Sequence, residues 1–408
     1  SLSNRGGDFV NKLISSVKLT SIYLFIGVFC GVVGTLFSKG VSLATNIRQE
    51  NPWLLYFLPL AGIFSVLIYK FLKVTNIGTN QVIASADGKT VLTYKLAPAV
   101  FFASILSHLC GASVGREGAA LQIGGGSAIF FSKFFKLSEK QEKTLIYCGM
   151  AGVFSSVFGT PLSAAVFALE VVFVGRIYFP AAIGAFISSF TSYYTAVLLG
   201  AHSERFVISV VPEINFSVLW KILVLSLLAL AVGIIFCFCL KHVKTLFKKL
   251  IKNDFLRIVF GAIAIVLLTF AVGSYDYNGA GIHVIEKVFR DNTFVPTAFA
   301  LKILFTCISV GVGFKGGEIV PTLFIGATLG AFGGTLLGLP VAFSAALCMI
   351  SLFCCVTNCP LASMFLAAEL FFGKGLGYFF IAVIINFCLS GKISLYSTQK
   401  SLGFKALF

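Results

Sequence analysis

The sequence predicts an all-α membrane protein built as an inverted repeat of many tilted, partly discontinuous helices. Three observations carry that prediction. The chain has too few charges to wet a soluble surface, its apolar segments are broken by Gly and Pro well inside hydrophobic sequence, and two motifs of the first half recur in the second.

Composition comes first. Of 408 residues, 58% are hydrophobic and 11% are charged, where a soluble domain carries roughly 25% charged residues. The mean hydropathy is +0.98 for a chain of 43.7 kDa. Lipid must therefore face most of the surface, and a multi-pass protein of the cell membrane is expected. The 45 Phe and 40 Gly fit this solvent: Phe fills lipid-facing and core surface, and Gly lets helices approach closely.

The net charge of +16 would suggest nucleic acid in a soluble protein. Here the basic residues gather in short connections: Arg5, Lys12 and Lys18; Lys133, Lys136, Lys140 and Lys143; Lys241, Lys244, Lys248, Lys249 and Lys252. Such clusters orient helices and touch anionic headgroups of the bilayer, so no nucleic-acid partner is expected. The 11 cysteines, among them Cys237, Cys239, Cys354 and Cys355, lie mostly inside apolar runs, where Cys acts as a small buried hydrophobe. Their odd number and burial argue against a disulfide framework. Neither they nor His108, His202, His242 and His283 have ligand spacing, so neither a metal nor a cofactor is expected. The N-terminus is polar and the first apolar run, 23–36, leads into more membrane sequence, which is not the pattern of a cleavable signal.

Apolar segments fall near 19–46, 52–73, 96–111, 117–135, 144–157, 160–175 and 177–200, then near 217–240, 255–273, 297–313, 318–338, 340–357, 360–373 and 376–390. Several are shorter than the ~20 residues that span the hydrocarbon. Breaks fall at Gly115–Gly118, Gly159–Pro161, Gly316–Pro321 and Asn358–Pro360. Interrupted backbone at membrane depth survives only where protein or a polar cavity satisfies it, as in transporters.

The repeat is explicit. Pro161-Leu162 with Glu170 is matched by Pro360-Leu361 with Glu369, and Glu117 of Gly-Arg-Glu by Glu318 of Gly-Gly-Glu. The chain reads as two membrane repeats, 1–205 and 206–408, with no appended cytoplasmic domain expected. The N-terminal basic residues and the 241–252 cluster belong on the cytoplasmic side. The second half then starts outside, and inversion follows.

Four features could carry chemistry. In Gly111-Ala-Ser-Val-Gly-Arg-Glu-Gly118, Arg116 and Glu117 are adjacent charges inside a membrane segment, which is costly and by default functional. Gly115 and Gly118 let backbone N–H groups converge at a helix N-terminus, an anion site. Glu117 is itself an anion, so it can occupy that site until protonation releases it; the bland alternative is a capping Glu paired with Arg116. Lys315-Gly-Gly-Glu-Ile-Val-Pro321 repeats the logic. Glu318 either complements the helix dipole or serves as a proton stop, beside the N–H of Ile319. In Gly78-Thr-Asn-Gln-Val82, Thr79 and Asn80 can donate to a partly dehydrated anion, though the run is also ordinary turn chemistry. Tyr396 can point a phenol at an anion or anchor the interface. Glu170 and Glu369 are each the one acid in an apolar run, and one or both are expected to face an aqueous vestibule or a salt bridge.

Together GREGAALQIGG at 115–125, KGGEIVPTLFIGA at 315–327, the two Pro-Leu…Glu repeats and Tyr396 resemble the CLC chloride channels and proton-coupled anion transporters. The resemblance runs in order over nearly the whole chain. It implies a homodimer with one pathway per subunit and helix N-termini meeting at a halide site. It also implies Glu117 as the gate shared by halide and proton, Tyr396 as a central hydroxyl, and backbone N–H groups near Gly118 and at Glu318–Ile319 along the path. Two departures stand out. Thr79 occupies the place of the usual serine, and Val171 that of the internal proton-transfer glutamate of the exchangers. The acid of GGE and the absent glutamate resemble the fluoride/proton branch, which has Met or Asn where Thr79 stands. The substrate stays open between chloride and fluoride. The expected function is halide/proton antiport gated by Glu117, with a passive chloride channel of the same fold as the alternative. A cation or organic-solute carrier would need an acidic site. No Ser/His or metal set suggests an enzyme.

Overall fold

The computed structural model describes residues 2–74 and 78–401, with backbone alone over 2–13 and at 401, so the side chains of Arg5 and Lys12 fall outside the described part. Hydrophobic sequence in lipid must satisfy its backbone internally, and helices do so. In the first half these are α1 (Leu2–Glu50), α2 (Leu58–Phe71), α3 (Thr79–Ala86), α4 (Leu96–Cys110), α5 (Glu117–Phe134), α6 (Glu139–Phe158), α7 (Pro161–Glu170) and α8 (Ala182–Leu198). The second half holds α9 (Phe216–Leu250), α10 (Asp254–Val272), α11 (Ile282–Asp291), α12 (Ala298–Val312), α13 (Ile319–Leu336), α14 (Val341–Thr357), α15 (Pro360–Leu370) and α16 (Leu376–Leu389). The broken run α4–α5–α6–α7 is thus matched by α12–α13–α14–α15.

Six helices among the described residues are long and apolar enough to cross a membrane, and six more apolar helices have 10–17 residues. The 35 residues of α9 extend about 52 Å at 1.5 Å per residue, well beyond the ~30 Å hydrocarbon, so α9 tilts or leaves the membrane at its lysine-rich end. Phe71, Leu198 and Phe216 are each at least 85% exposed, an arrangement that only lipid makes favourable. At the centre, α5, α6, α13 and α14 are buried on nearly all sides. Glycine lets them meet: Gly124 lies on the backbone of Gly149, and a Cβ on Gly326 would come within 2.6 Å of the Met349 Cα.

Two expectations change. The segment 160–175 is not one helix: α7 stops at Glu170, and β1 (Phe173–Val174) pairs in parallel with β2 (Lys400–Ser401). The β-branched run Val171-Val172 followed by Gly175 favours extended backbone there. Helix α11 escaped a search for apolar runs because its Val284, Ile285 and Val288 face inward while Glu286 and Lys287 face out.

Candidate functional site

The site is where the two broken runs cross. Helix α4 ends at Gly111 (φ +91°), and α12 ends at Gly313 (φ +116°), conformations that cost glycine little and other residues much. The loops that follow pair with each other: Gly115 N–H donates to Gly317 O at 2.7 Å, and Gly317 N–H to Gly115 O at 2.6 Å. Ser113 ties the crossing to α12 through Ser309 Oγ (2.9 Å) and Thr306 Oγ1 (3.0 Å). Reciprocal bonds of this kind are those of a local two-fold axis.

Immediately after the crossing, α5 and α13 begin, each with its first N–H groups lacking intrahelical acceptors. Glu117 is fully buried, and its carboxylate folds back on the α5 N-terminus, accepting from the Arg116 N–H at 3.2 Å and from Arg116 Nε at 3.4 Å. Glu318 stands just before α13 but does not cap it; its carbonyl takes the N–H (3.0 Å) and hydroxyl (2.8 Å) of Thr322. Its carboxylate instead crosses toward α5, with Oε2 3.4 Å from where a Cβ on Gly118 would sit. That Oε2 is buried and has no hydrogen-bond partner within the protein, and the same holds for the hydroxyl of Tyr396. Other buried polar atoms also lack a partner, among them the hydroxyls of Tyr69 and Tyr147, but Glu318 and Tyr396 line the same cavity.

Thr79, at the start of α3, sends its hydroxyl to Gly118 O (3.4 Å) and accepts from Gln122 Nε2 (3.2 Å), which also reaches Gly118 O (3.3 Å). Asn80 uses its oxygens on the C-terminal segment: its Oδ1 takes the N–H of Thr398 (3.3 Å), and its carbonyl the Thr398 hydroxyl (2.7 Å). That amide oxygen holds the segment after Tyr396 in place. Thr79, Asn80, Gln122, Glu318 and Tyr396 line a vestibule of about 400 Å³ together with Lys244, Lys248, Arg257 and Lys315. Arg257 is paired with Asp254, whereas Lys315 Nζ lies 4.2 Å above the Tyr69 ring. The crossing thus gathers Gly115, Arg116, Glu117, Gly118, Glu318 and Ile319, with Thr79 and Tyr396 beneath it.

Glu170 and Glu369 are a correction. Glu170 is buried and Glu369 half-buried, and neither forms a salt bridge among the described residues. The Glu170 carboxylate accepts from the N–H groups of Leu361 (3.2 Å) and Ala362 (2.9 Å), and Glu369 from those of Leu162 (2.9 Å) and Ser163 (2.8 Å). Each acid neutralises the N-terminus of the matching helix in the other half, an exchange of caps that joins α7 to α15. The starts of α7 and α15 are thereby capped from the opposite half, whereas α5 and α13 receive no such hydrogen bond among the described residues.

Three contributors escaped the sequence reading. Gln122 carried a usable signal, since it lies one turn after Gly118 on the same face of α5. Glu204 carried none: it sits in the segment between α8 and α9, yet Arg116 Nη2 donates to it at 2.7 Å. Gln399 bridges Val171 O (2.9 Å) and Thr357 O (2.8 Å) through one amide nitrogen, so an amide closes the space beside Val171.

The model of the family described as voltage gated chloride channel matches residues 60–391. A protein of Pseudomonas syringae pv. tomato, named chloride/fluoride channel protein, is 31% identical over 92% of this chain and 84% of its own. The H(+)/Cl(-) exchange transporter ClcA of Vibrio vulnificus is 26% identical, over 89% of this chain and 85% of its own. Among solved structures, a CLC-type fluoride/proton antiporter superposes with a TM-score of 0.92 at 32% identity, covering 95% of this chain and 99% of that one. A slow cyanobacterial Cl-/H+ antiporter shares the fold, with a TM-score of 0.77 at 19% identity over 91% and 94% of the two chains.

Proposed function

The chain belongs to the voltage gated chloride channel family, a family of transporters and channels, and on that footing we propose that it exchanges a halide, fluoride before chloride, for protons across the cell membrane. The observation that carries the reading is the convergence of Glu117 and Glu318, one acid from each half, on the N-terminus of α5 beside the unpaired hydroxyl of Tyr396. A helix N-terminus binds one anion at a time. Glu117 as carboxylate holds that place; protonated, it loses its charge and yields it to a halide. Chemistry that couples the two ions needs no more than this competition. The fluoride preference is supported by the likeness to the fluoride/proton antiporter and by Glu318 standing in the path.

The halide reaches the crossing from the vestibule. Tyr396 turns its hydroxyl to it, and so does Thr79, because Gln122 keeps a hydrogen bond on Gly118 O when Thr79 lets go. Asn80 acts by fixing the Tyr396 segment. Glu318 is the second stop for the proton, since Val171 supplies no carboxylate and Gln399 fills the space beside it. By resemblance, two copies associate, each with its own path.

The test is efflux from liposomes loaded with fluoride or chloride, with and without a proton gradient. Fluoride efflux with proton uptake, and a reversal potential that moves with the pH difference, is the expected result. A reversal potential indifferent to that gradient would establish a passive channel, and equal chloride rates would remove the fluoride preference.

The vestibule lysines add a second expectation. Converging cations raise the local anion concentration. Lys244→Ala with Lys248→Ala should slow halide uptake from that side roughly fivefold at low ionic strength, and the difference should vanish at high salt as charges are screened. A deficit of the same size at every salt concentration would show that the lysines act through the fold.

A further inference from the structure

Arg116 serves two carboxylates at once. Its Nη2 donates to Glu204 Oε1 at 2.7 Å, its Nη1 to Ser38 Oγ at 3.1 Å, and its Nε reaches Glu117 Oε1 only at 3.4 Å. Charge-assisted hydrogen bonds of full strength are ~2.7–2.9 Å long, so Glu204 holds the guanidinium and Glu117 has the weak remainder. Side-chain exposure is 7% for Arg116 and 21% for Glu204, so the pair is largely shielded from solvent.

The segment that carries Glu204 is fixed on both flanks. Arg205 Nη2 donates to Gly159 O at 3.0 Å, Phe206 N–H to Leu370 O at 3.0 Å, and the Phe206 ring stacks on Phe289 with centroids 4.9 Å apart. This strap joins α8 to α9 and is anchored to both halves. Between Glu204, Phe158, Phe206, Ile282 and Val320 the space shrinks to about 10 Å³, room for about one water.

From this geometry we infer that Glu204 is a positioning residue for the gate: by holding Arg116, it keeps Glu117 free to leave the α5 N-terminus. With Glu204 neutral, the guanidinium has one acid left to pair with, and it draws Glu117 into a full-strength ion pair in the blocking position. Transport then slows because the gate is held, although no residue that touches the halide has changed. The inference rests on the reading of Glu117 as the gate.

The test is a double-mutant cycle on liposome flux, with Glu204→Gln, Arg116→Gln and the double variant. Glu204→Gln alone is expected to slow exchange about tenfold, the size of one charge-assisted hydrogen bond. In the Arg116→Gln background the same change should have no further effect, because there is no guanidinium left to misdirect. Glu204→Asp, which keeps the charge, should retain at least half the wild-type rate. Equal slowing by Glu204→Gln in both backgrounds overturns the inference, as does a wild-type rate in the single variant or an Asp variant as slow as the Gln one. Wild-type protein that moves neither halide fails the functional reading itself; flux in the wild type with independent effects fails only the role of Glu204.

Discussion

Glu117→Gln is expected to abolish proton movement, cutting it more than about tenfold, while halide still crosses. The amide has nearly the size of the acid but neither takes up a proton at working pH nor carries the charge that competes with an anion at the α5 N-terminus. The fold should survive, because the Glu117 carboxylate bonds locally, to Arg116 and to its own backbone, and Arg116 keeps Glu204 and Ser38. The measurement is proton uptake driven by an imposed halide gradient, recorded beside halide efflux on the same vesicles. Proton uptake at the wild-type rate would show that the shared gate lies elsewhere, and Glu318 would be the next residue to neutralise.

Gly118→Ala should be equally severe for a different reason. Its Cβ would come within 2.7 Å of the Gly317 Cα and 3.4 Å of Glu318 Oε2. Neither loop can give, since Gly115 and Gly317 are locked by a reciprocal pair of short backbone bonds. Overpacking of this kind costs about 1–3 kcal/mol, and breaking the crossing strands four buried backbone groups, two N–H and two C=O, at about 1–3 kcal/mol each. Loss of flux by two orders of magnitude or more and a clearly lowered unfolding temperature are expected. Gly377→Ala is the control: nothing lies within 4 Å of a Cβ there, and inside α16 the change should stabilise by up to about 1 kcal/mol. A Gly118→Ala protein with wild-type stability and flux would mean that the two loops separate more easily than their hydrogen bonds imply.

The sequence reading and the structure agree where the signal is local. Gly111 and Gly313 end helices where the glycines stand, Pro161 and Pro360 start them, and Glu117 and Glu318 stand at the starts of α5 and α13. They part where a side chain meets a residue far along the chain. An acid alone in an apolar run reads the same whether it waits for a proton or caps a distant helix, so Glu170 and Glu369 were open to the wrong reading. Asn80 likewise reads as a donor to an anion, and its oxygen turns out to grip Thr398. Helix α11 was missed because amphipathic sequence does not stand out against an apolar background.

By itself the sequence determined the solvent, the helical class, the places where helices break and the acids planted at those breaks, because hydropathy, glycine conformation and helix-dipole chemistry act over a few neighbouring residues. Only the tertiary structure decided which helix starts receive a carboxylate from the other half, that Arg116 belongs first to Glu204, and that four cations from three separate elements surround one vestibule. Those outcomes depend on hydrogen bonds and charges between groups as much as 207 positions apart. Spacing along the chain carries no record of which distant N–H a carboxylate will meet once the two halves are folded against each other.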